Sequence, residues 1–314
     1  MRKNGLRHVR DLSEPSTVPF ESLAAGWAAA YGRLRWHREG AAMTTPDVDQ
    51  GAAGYALRLT DAEITRYRTM AAQARTTEAD LWRLAGIVPG ARVADVGCGP
   101  GALLPALAAE VGPTGHVTGV DSDRAAVEAA TAYTAGESTV DVHWGQADAT
   151  GLPAGSLDVV MMRHVLAHNG GREAAIVGHL ASLVRPGGCL YLVDVDGTAV
   201  RMLPDDDADL ADLNERYLRF HAARGNDLHA GLHLADWLRQ AGLEVVDFRG
   251  TYLIAQPPPG VRPPPWAARV AMVSAGIATE ADVARWAAAL GRADAAATRP
   301  TVFAPTFTAV GLRS

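Results

Sequence analysis

Apolar and polar positions change rhythm along the chain. Residues 1–54 show no period. "MRKNGLRHVRDLSEPSTVPF" mixes charge, serine and proline, and "GAAMTTPDVDQGAAG" (40–54) is small and polar. This stretch reads as an N-terminal extension and linker around one short alanine-rich helix. Met43 opens a segment like an ordinary bacterial N-terminus, so the residues before it stand as an extension or a start-site artefact. From Leu59 apolar residues recur at helical spacing to Leu84. Thr60 and Glu63 make a capping-box arrangement and Gly86 a stop. Short continuous apolar runs then alternate with helical patterns: RVADVG and GALLPALAAEVG, HVTGVDSD and DRAAVEAATAYTA, VDVHWGQAD, SLDVVMMRH and EAAIVGHLASLVRPGG, and CLYLVDVD. Strands apolar on both faces belong to a parallel sheet covered by helices on each side, a doubly wound α/β fold.

The last third is less regular. "ADLADLNERYLRFHAARG" and "HAGLHLADWLRQAG" have the pattern of amphipathic helices, and "LEVVDFRGTYLIA" that of a strand bent at Gly250. Helices are predicted over 266–276 and 280–290, before a final strand "TVFAPTFTAVGLR". The expected main domain is 55–314. Its core is 55–198, helical insertions around strand six fill 199–301, and the last strand takes 302–314.

Composition narrows the functions. With 314 residues, 48% hydrophobic, the chain can bury a core without disulfides. The net charge is −6 and Lys3 is the only lysine, so no broad positive field points to a nucleic-acid partner. Two cysteines without metal-ligand spacing fit a reducing compartment. No apolar run approaches the roughly 20 residues of a membrane span. "LAAGWAAAYG" follows prolines and a glutamate, which makes it a poor signal peptide. A cytoplasmic enzyme or binding protein remains, with a homodimer compatible.

The chemistry concentrates in "VADVGCGPGALLPALAAE" (93–110). Glycines between a strand and a helix let a ligand approach the backbone, and the helix end offers free N–H groups. Gly97, Gly99 and Ala102 satisfy G-x-G-x-x-G/A, the dinucleotide fingerprint. The fuller pattern is Asp95-x-Gly97-x-Gly99-x-Gly101. It resembles motif I of the class I S-adenosylmethionine-dependent methyltransferases. An acid at Asp95 suits an ammonium-bearing ligand, and Pro100 removes a donor that a pyrophosphate would use. Three further segments resemble that family in register: "HVTGVDSD" ending on Asp121, "WGQADATGLP", and "GSLDVVMMRHVLAH" with "LASLVRPGGCLYLVDVD". Within the superfamily the chain is similar to bacterial small-molecule enzymes of the ubiquinone and menaquinone type.

The resemblance implies a seven-stranded, mostly parallel Rossmann-like sheet under an N-terminal helical lid, with S-adenosyl-L-methionine as cofactor. It implies a site in which Asp95, Gly97, Cys98, Gly99 and Gly101 hold the methionine end. Asp121, with Ser122 beside it, would take the ribose. Asp148 would take the adenine amine, flanked by Ala147 and Ala149. Arg163 and His164 would offer backbone contacts after strand four, and Tyr67 or Arg68 would reach down from the lid. Asp121 also suits the cap of the next helix, a role that can coexist with ribose binding on one loop, and Cys98 has no reactive role. His168, with His164 as the second choice, is the candidate base, because imidazole titrates near neutrality. Trp144 reads as core, and "DDDAD" (205–209) as a solvated helix start. Arg224–Asp227 reads as a turn that lines the substrate pocket or caps a helix. His229 and His233 at i, i+4, with His221 and Asp227 near, lack a firm metal spacing, so no metal is expected. Two other functions stay open: cofactor binding without methyl transfer, and NAD-dependent oxidation.

Overall fold

The glycine-bounded apolar runs become strands of one sheet. The computed structural model describes residues 61–314. The expected extension, its linker and the Thr60 cap lie outside them. β1 (Arg92–Val96) pairs in parallel with β2 (His116–Asp121) and with β4 (Leu157–Arg163). β3 (Val140–Trp144) flanks β2, and β5 (Val184–Val195) flanks β4. The strand order is β3-β2-β1-β4-β5, continued by β8 (Thr301–Leu312), antiparallel to β5. β7 (Glu244–Ala255) runs antiparallel along the whole of β8.

Alternation within each strand splits the core into two layers. Val93, Val159, Met161 and Tyr191 face one cluster, and Ala94, Val160, Met162 and Leu192 the other. The first cluster is closed by α2 (Ala79–Ala85) and α3 (Leu104–Val111), through Leu81, Trp82, Leu104 and Leu107. The second is closed by α5 (Glu173–Leu183) and α7 (Ala230–Gln240), through Ile176, Leu180, Leu234 and Leu238. α1 (Asp61–Thr77) precedes this core, and α4 (Arg124–Tyr133) lies between β2 and β3. Each fully buried leucine contributes about 1.5–3 kcal/mol of transfer free energy. That is why the runs are apolar without a polar face.

Four expectations are corrected. The helix predicted from Asp61 to Leu84 is two helices that break at Glu78. Thr76 and Thr77 bond back to the carbonyls of Ala72 and Gln73, and Glu78 is drawn to Arg163 and Tyr191 of the sheet. The sheet has eight strands rather than seven, because the short β6 (Arg201–Leu203) pairs with the start of β8. β7 passes straight through Gly250, where the Phe307 ring fills the space of a side chain, and its register shift lies at Val245/Asp247. The 266–276 helix is two short ones, α8 (Pro264–Ala267) and α9 (Arg269–Ser274). α6 (Ala208–Ala223) starts at Asp207, whose carboxylate caps Asp209 and Leu210, and α10 (Glu280–Ala295) starts on a Thr279–Asp282 capping box.

Candidate active site

In this order β1 to β3 step one way across the sheet and β4 and β5 the other, so the winding switches between the parallel neighbours β1 and β4. A crevice therefore opens beyond their C-terminal ends, where open α/β sheets bind ligands. The crevice widens into a cavity of about 1160 Å³, walled by the glycine loop, α1, α6 and the approach to β8.

The loop is built by hydrogen bonds that only glycines permit. Gly97 and Gly99 have φ of 80° and 54°, in the left-handed region. The N–H groups of Gly97 and Cys98 both donate to the Val120 carbonyl, at 2.7 and 3.1 Å. The Asp121 carboxylate accepts from Gly99 N–H at 2.8 Å and from Asp123 N–H at 2.9 Å. Asp121 thus ties the loop to β2, while Asp123 caps α4 through Ala125 N–H. A Cβ on Gly97 would sit 2.3 Å from a Val165 methyl, whereas one on Gly99 would stand open, 3.8 Å from the Tyr67 ring. Gly97 is needed for packing, and Gly99 keeps the cavity floor bare.

Asp95 lies beneath this loop at 4% exposure and faces the cavity. Among the described residues no side chain or N–H group donates to its carboxylate. Burial raises its pKa to about 7, against the opposing pull of Arg163. Arg163, at the end of β4, bonds to the Glu78 carboxylate, which also accepts from Tyr191 Oη at 2.7 Å. The junction between α1 and α2 is thereby pinned to the sheet at the site.

The next residue, His164, has φ of 56°, the one non-glycine among the described residues in that region. Beyond it a 3₁₀ turn, Leu166–His168, presents His168 to the cavity. Asp194, buried on β5, holds this turn by accepting from Ala167 N–H at 3.1 Å. The His168 ring lies 5.0 Å from that of His221 on α6. Asn226 Oδ1 accepts from Gly170 N–H, which fixes its amide so that Nδ2 donates to His221 Nδ1 at 2.8 Å. The protein wall holds His164 and His221 down to about 3 and His168 to about 4, so all three imidazoles are neutral at pH 7.

The cavity collects Tyr67, Asp95, Gly97, Cys98 and Gly99 on one side. It also takes Asp121, Ser122, Ala147, Arg163, His164 and His168. Gly101, Asp148 and Ala149 fall outside its lining. A Cβ on Gly101 would meet that of Ala130 at 2.8 Å, so this glycine serves helix packing. The Asp148 carboxylate is held by Arg172 at 2.6 Å, which keeps its pKa below the usual range. Arg68 stacks on Tyr133 instead of reaching inward. Trp144 is exposed rather than core: its indole donates to the Ser122 carbonyl, with Arg124 over the ring. His229 and His233 pair with different acids, Asp196 and Asp227. Glu78, Asp194 and His221 were missed as site residues. Only the fold brings them within reach, and no spacing in the sequence marks them.

The methyltransferase-domain family model matches residues 67–247. The ubiquinone biosynthesis O-methyltransferase of Xanthomonas campestris pv. campestris is 34% identical over 170 residues, 52% of this chain and 66% of that protein. The nocamycin O-methyltransferase of Saccharothrix syringae is 40% identical over 108 residues, 33% of this chain and 38% of that protein. The chain therefore spans less than two thirds of these curated relatives. A methyltransferase structure from Bacillus halodurans C-125 shares the fold at 17% identity, covering 76% of this chain and 100% of that one, with a TM-score of 0.50. The glycine loop, its acids and the family match agree: the chain belongs to the methyltransferase-domain family.

Proposed function

We propose that this protein transfers the methyl group of S-adenosylmethionine to an oxygen of a small-molecule acceptor. The observation that carries the reading is Asp95, a buried carboxylate facing the cavity with no donor of its own among the described residues. A ligand ammonium satisfies it, so the residues present fit the amino-acid end of the cofactor. The cavity, at about 1160 Å³, exceeds the roughly 300–1,000 Å³ of a single-ligand pocket and has room for cofactor and acceptor together. The two relatives named above are O-methyltransferases, which favours oxygen as the accepting atom. No helix among the described residues is long and apolar enough to cross a membrane. With the net charge of −6, this favours a small cytoplasmic acceptor over nucleic acid.

When bound, the cofactor supplies a methyl group activated by its sulfonium. The chain's own residues do the rest. Asp95 and the Gly97–Gly99 backbone hold the amino-acid end. Asp121 keeps a lone pair on each oxygen for ribose hydroxyls after bonding Gly99 and Asp123. Ser122 and Ala147 border the base. Tyr67 covers Gly99 from the lid and excludes water. His168, neutral at pH 7 but a weaker base than free imidazole because burial holds its pKa down to about 4, accepts the acceptor's hydroxyl proton on a ring nitrogen, with Asp194 positioning its turn. Most of the rate comes from alignment, worth up to about 7–11 kcal/mol in favourable cases.

The test is calorimetry with S-adenosylmethionine and S-adenosylhomocysteine, followed by turnover of methyl-labelled cofactor on a panel of phenols and alcohols. Binding plus labelled ether is the expected result. Absence of binding to either nucleoside by the folded protein overturns the proposal. Binding without label transfer to any acceptor leaves a cofactor-binding protein that does not methylate.

A further inference from the structure

The cavity extends beyond the histidines into a lobe between β6, the loop before α8, the end of α10 and the residue run before β8. Met202, Val261 and Val302 give it apolar walls, and Arg262, Asp294 and Arg299 stand among them. The charges there do not balance. Asp294 receives Arg262 Nη2 at 2.8 Å and Gly260 N–H at 3.2 Å, while Arg299 Nη2 stays 3.6 Å away, beyond hydrogen-bond range. Arg201, also lining the cavity, donates Nη1 to the carbonyls of Thr198 and Val200 and has no carboxylate partner among the described residues. Asp207 is taken by Arg292 at 2.7 Å. Three arginines therefore face Asp294 and the exposed Asp205, an excess of one positive charge.

Arg299 carries the sharper signal. Its Nε and Nη1 are buried and have no hydrogen-bond partner. Among the described residues the one other fully buried side-chain donor in that state is the Trp82 indole nitrogen, deep in the core. A guanidinium cannot shed its proton, so its donors need an acceptor from elsewhere. Arg299 lines the cavity with 22% of its side chain exposed, so a ligand acceptor reaches the two nitrogens when the side chain turns. The long Asp294 contact is a weak tether, and turning the side chain away from it presents the free nitrogens to the lobe.

We infer that this lobe is a carboxylate site, and that the methyl acceptor is an organic acid with an apolar body whose carboxylate Arg299 binds. The inference rests on the methyl-transfer reading for the acceptor's role. Arginine suits this task because its fixed donors match planar carboxylates, whereas an amide or ester of the same shape lacks the charge.

The experiment uses the full chain with S-adenosylhomocysteine and titrates cinnamate and phenylacetate against cinnamamide and phenylacetamide by calorimetry. The wild type is expected to bind the acids about tenfold or more tighter than the amides, the scale of a desolvated charge pair. In Arg299→Gln that preference should largely vanish while the nucleoside affinity stays unchanged. Equal binding of acids and amides by the wild type, or a preference that survives in Arg299→Gln, overturns the inference. The nucleoside titration is read separately, so its failure would refute the methyltransferase proposal and leave the acid preference measurable. A second variant, Arg299→Met, is followed by thermal unfolding without ligand. An unchanged or raised Tm is expected, because two buried donors without partners are removed. A lowered Tm would mark Arg299 as a structural partner of Asp294 and overturn the inference.

Discussion

The unpaired carboxylate of Asp95 makes cofactor affinity depend on pH. Its folded-state pKa is raised to about 7, chiefly by burial, from an ordinary value of 3.8. Between those values the empty protein holds a proton there that the unfolded chain does not. This contribution to stability is therefore present below pH 4 and is lost as pH rises through 7. A cationic amino group binds the ionised form, so in that range binding must first remove the proton. With a pKa of about 7 the ionised fraction is about nine-tenths at pH 8 and about one-hundredth at pH 5, a ratio of about 90 or about 3 kcal/mol. The dissociation constant for S-adenosylhomocysteine should rise by about that factor from pH 8 to pH 5. Titrations in buffers of different ionisation enthalpy should report close to one proton released near pH 6. Asp95→Asn should bind more weakly at pH 8 and lose both the slope and the proton release. A flat profile in the wild type, or an unchanged slope in Asp95→Asn with His164, His168 and His221 intact, would refute the assignment.

The glycine loop separates packing from binding. Gly97→Ala forces a Cβ against Val165 at positive φ and should lower Tm strongly, whereas Gly99→Ala should cost only about 1–2 kcal/mol of left-handed strain yet abolish nucleoside binding by calorimetry. Asp121→Ala removes two hydrogen bonds that exist without ligand, so denaturant unfolding should show a loss of about 2–3 kcal/mol. Its nucleoside affinity should fall by a further 5- to 150-fold or about 1–3 kcal/mol, and unchanged affinity in the folded variant would remove it from the site. His168→Gln should lower kcat by about 10²–10⁴ with little change in nucleoside affinity, and equal turnover would exclude it as base. Because the pKa values of His164, His168 and His221 are depressed, their contribution to stability is present above about pH 6.5. It is lost as pH falls through about 4 and 3, which acid unfolding followed by circular dichroism should show.

The alternation of apolar runs and helical patterns was sufficient by itself for the parallel core, because a strand buried on both faces must be apolar throughout. The motif acids and glycines were legible for the same local reason. Gly97, Gly99 and Asp121 sit at a turn whose backbone needs them, Asp95 at the strand end before it, and all reach the cavity. Sequence reading failed where distant segments meet. Trp144 looks like core from its strand, yet β3 is the sheet's edge and leaves the ring to solvent. Gly101 and Asp148 belong to the motif pattern, but α4 packs against the first and Arg172 takes the second. The break at Glu78 and the pairing of His168 with His221 join residues 113 and 53 positions apart at their ends, Tyr191 and His221. Arg299 is one arginine among many until its nitrogens are found buried without a partner. Periodicity and turn chemistry are local properties of the chain and can be read from it. Charge balance, burial and the company a side chain keeps arise only when the sheet brings distant segments together.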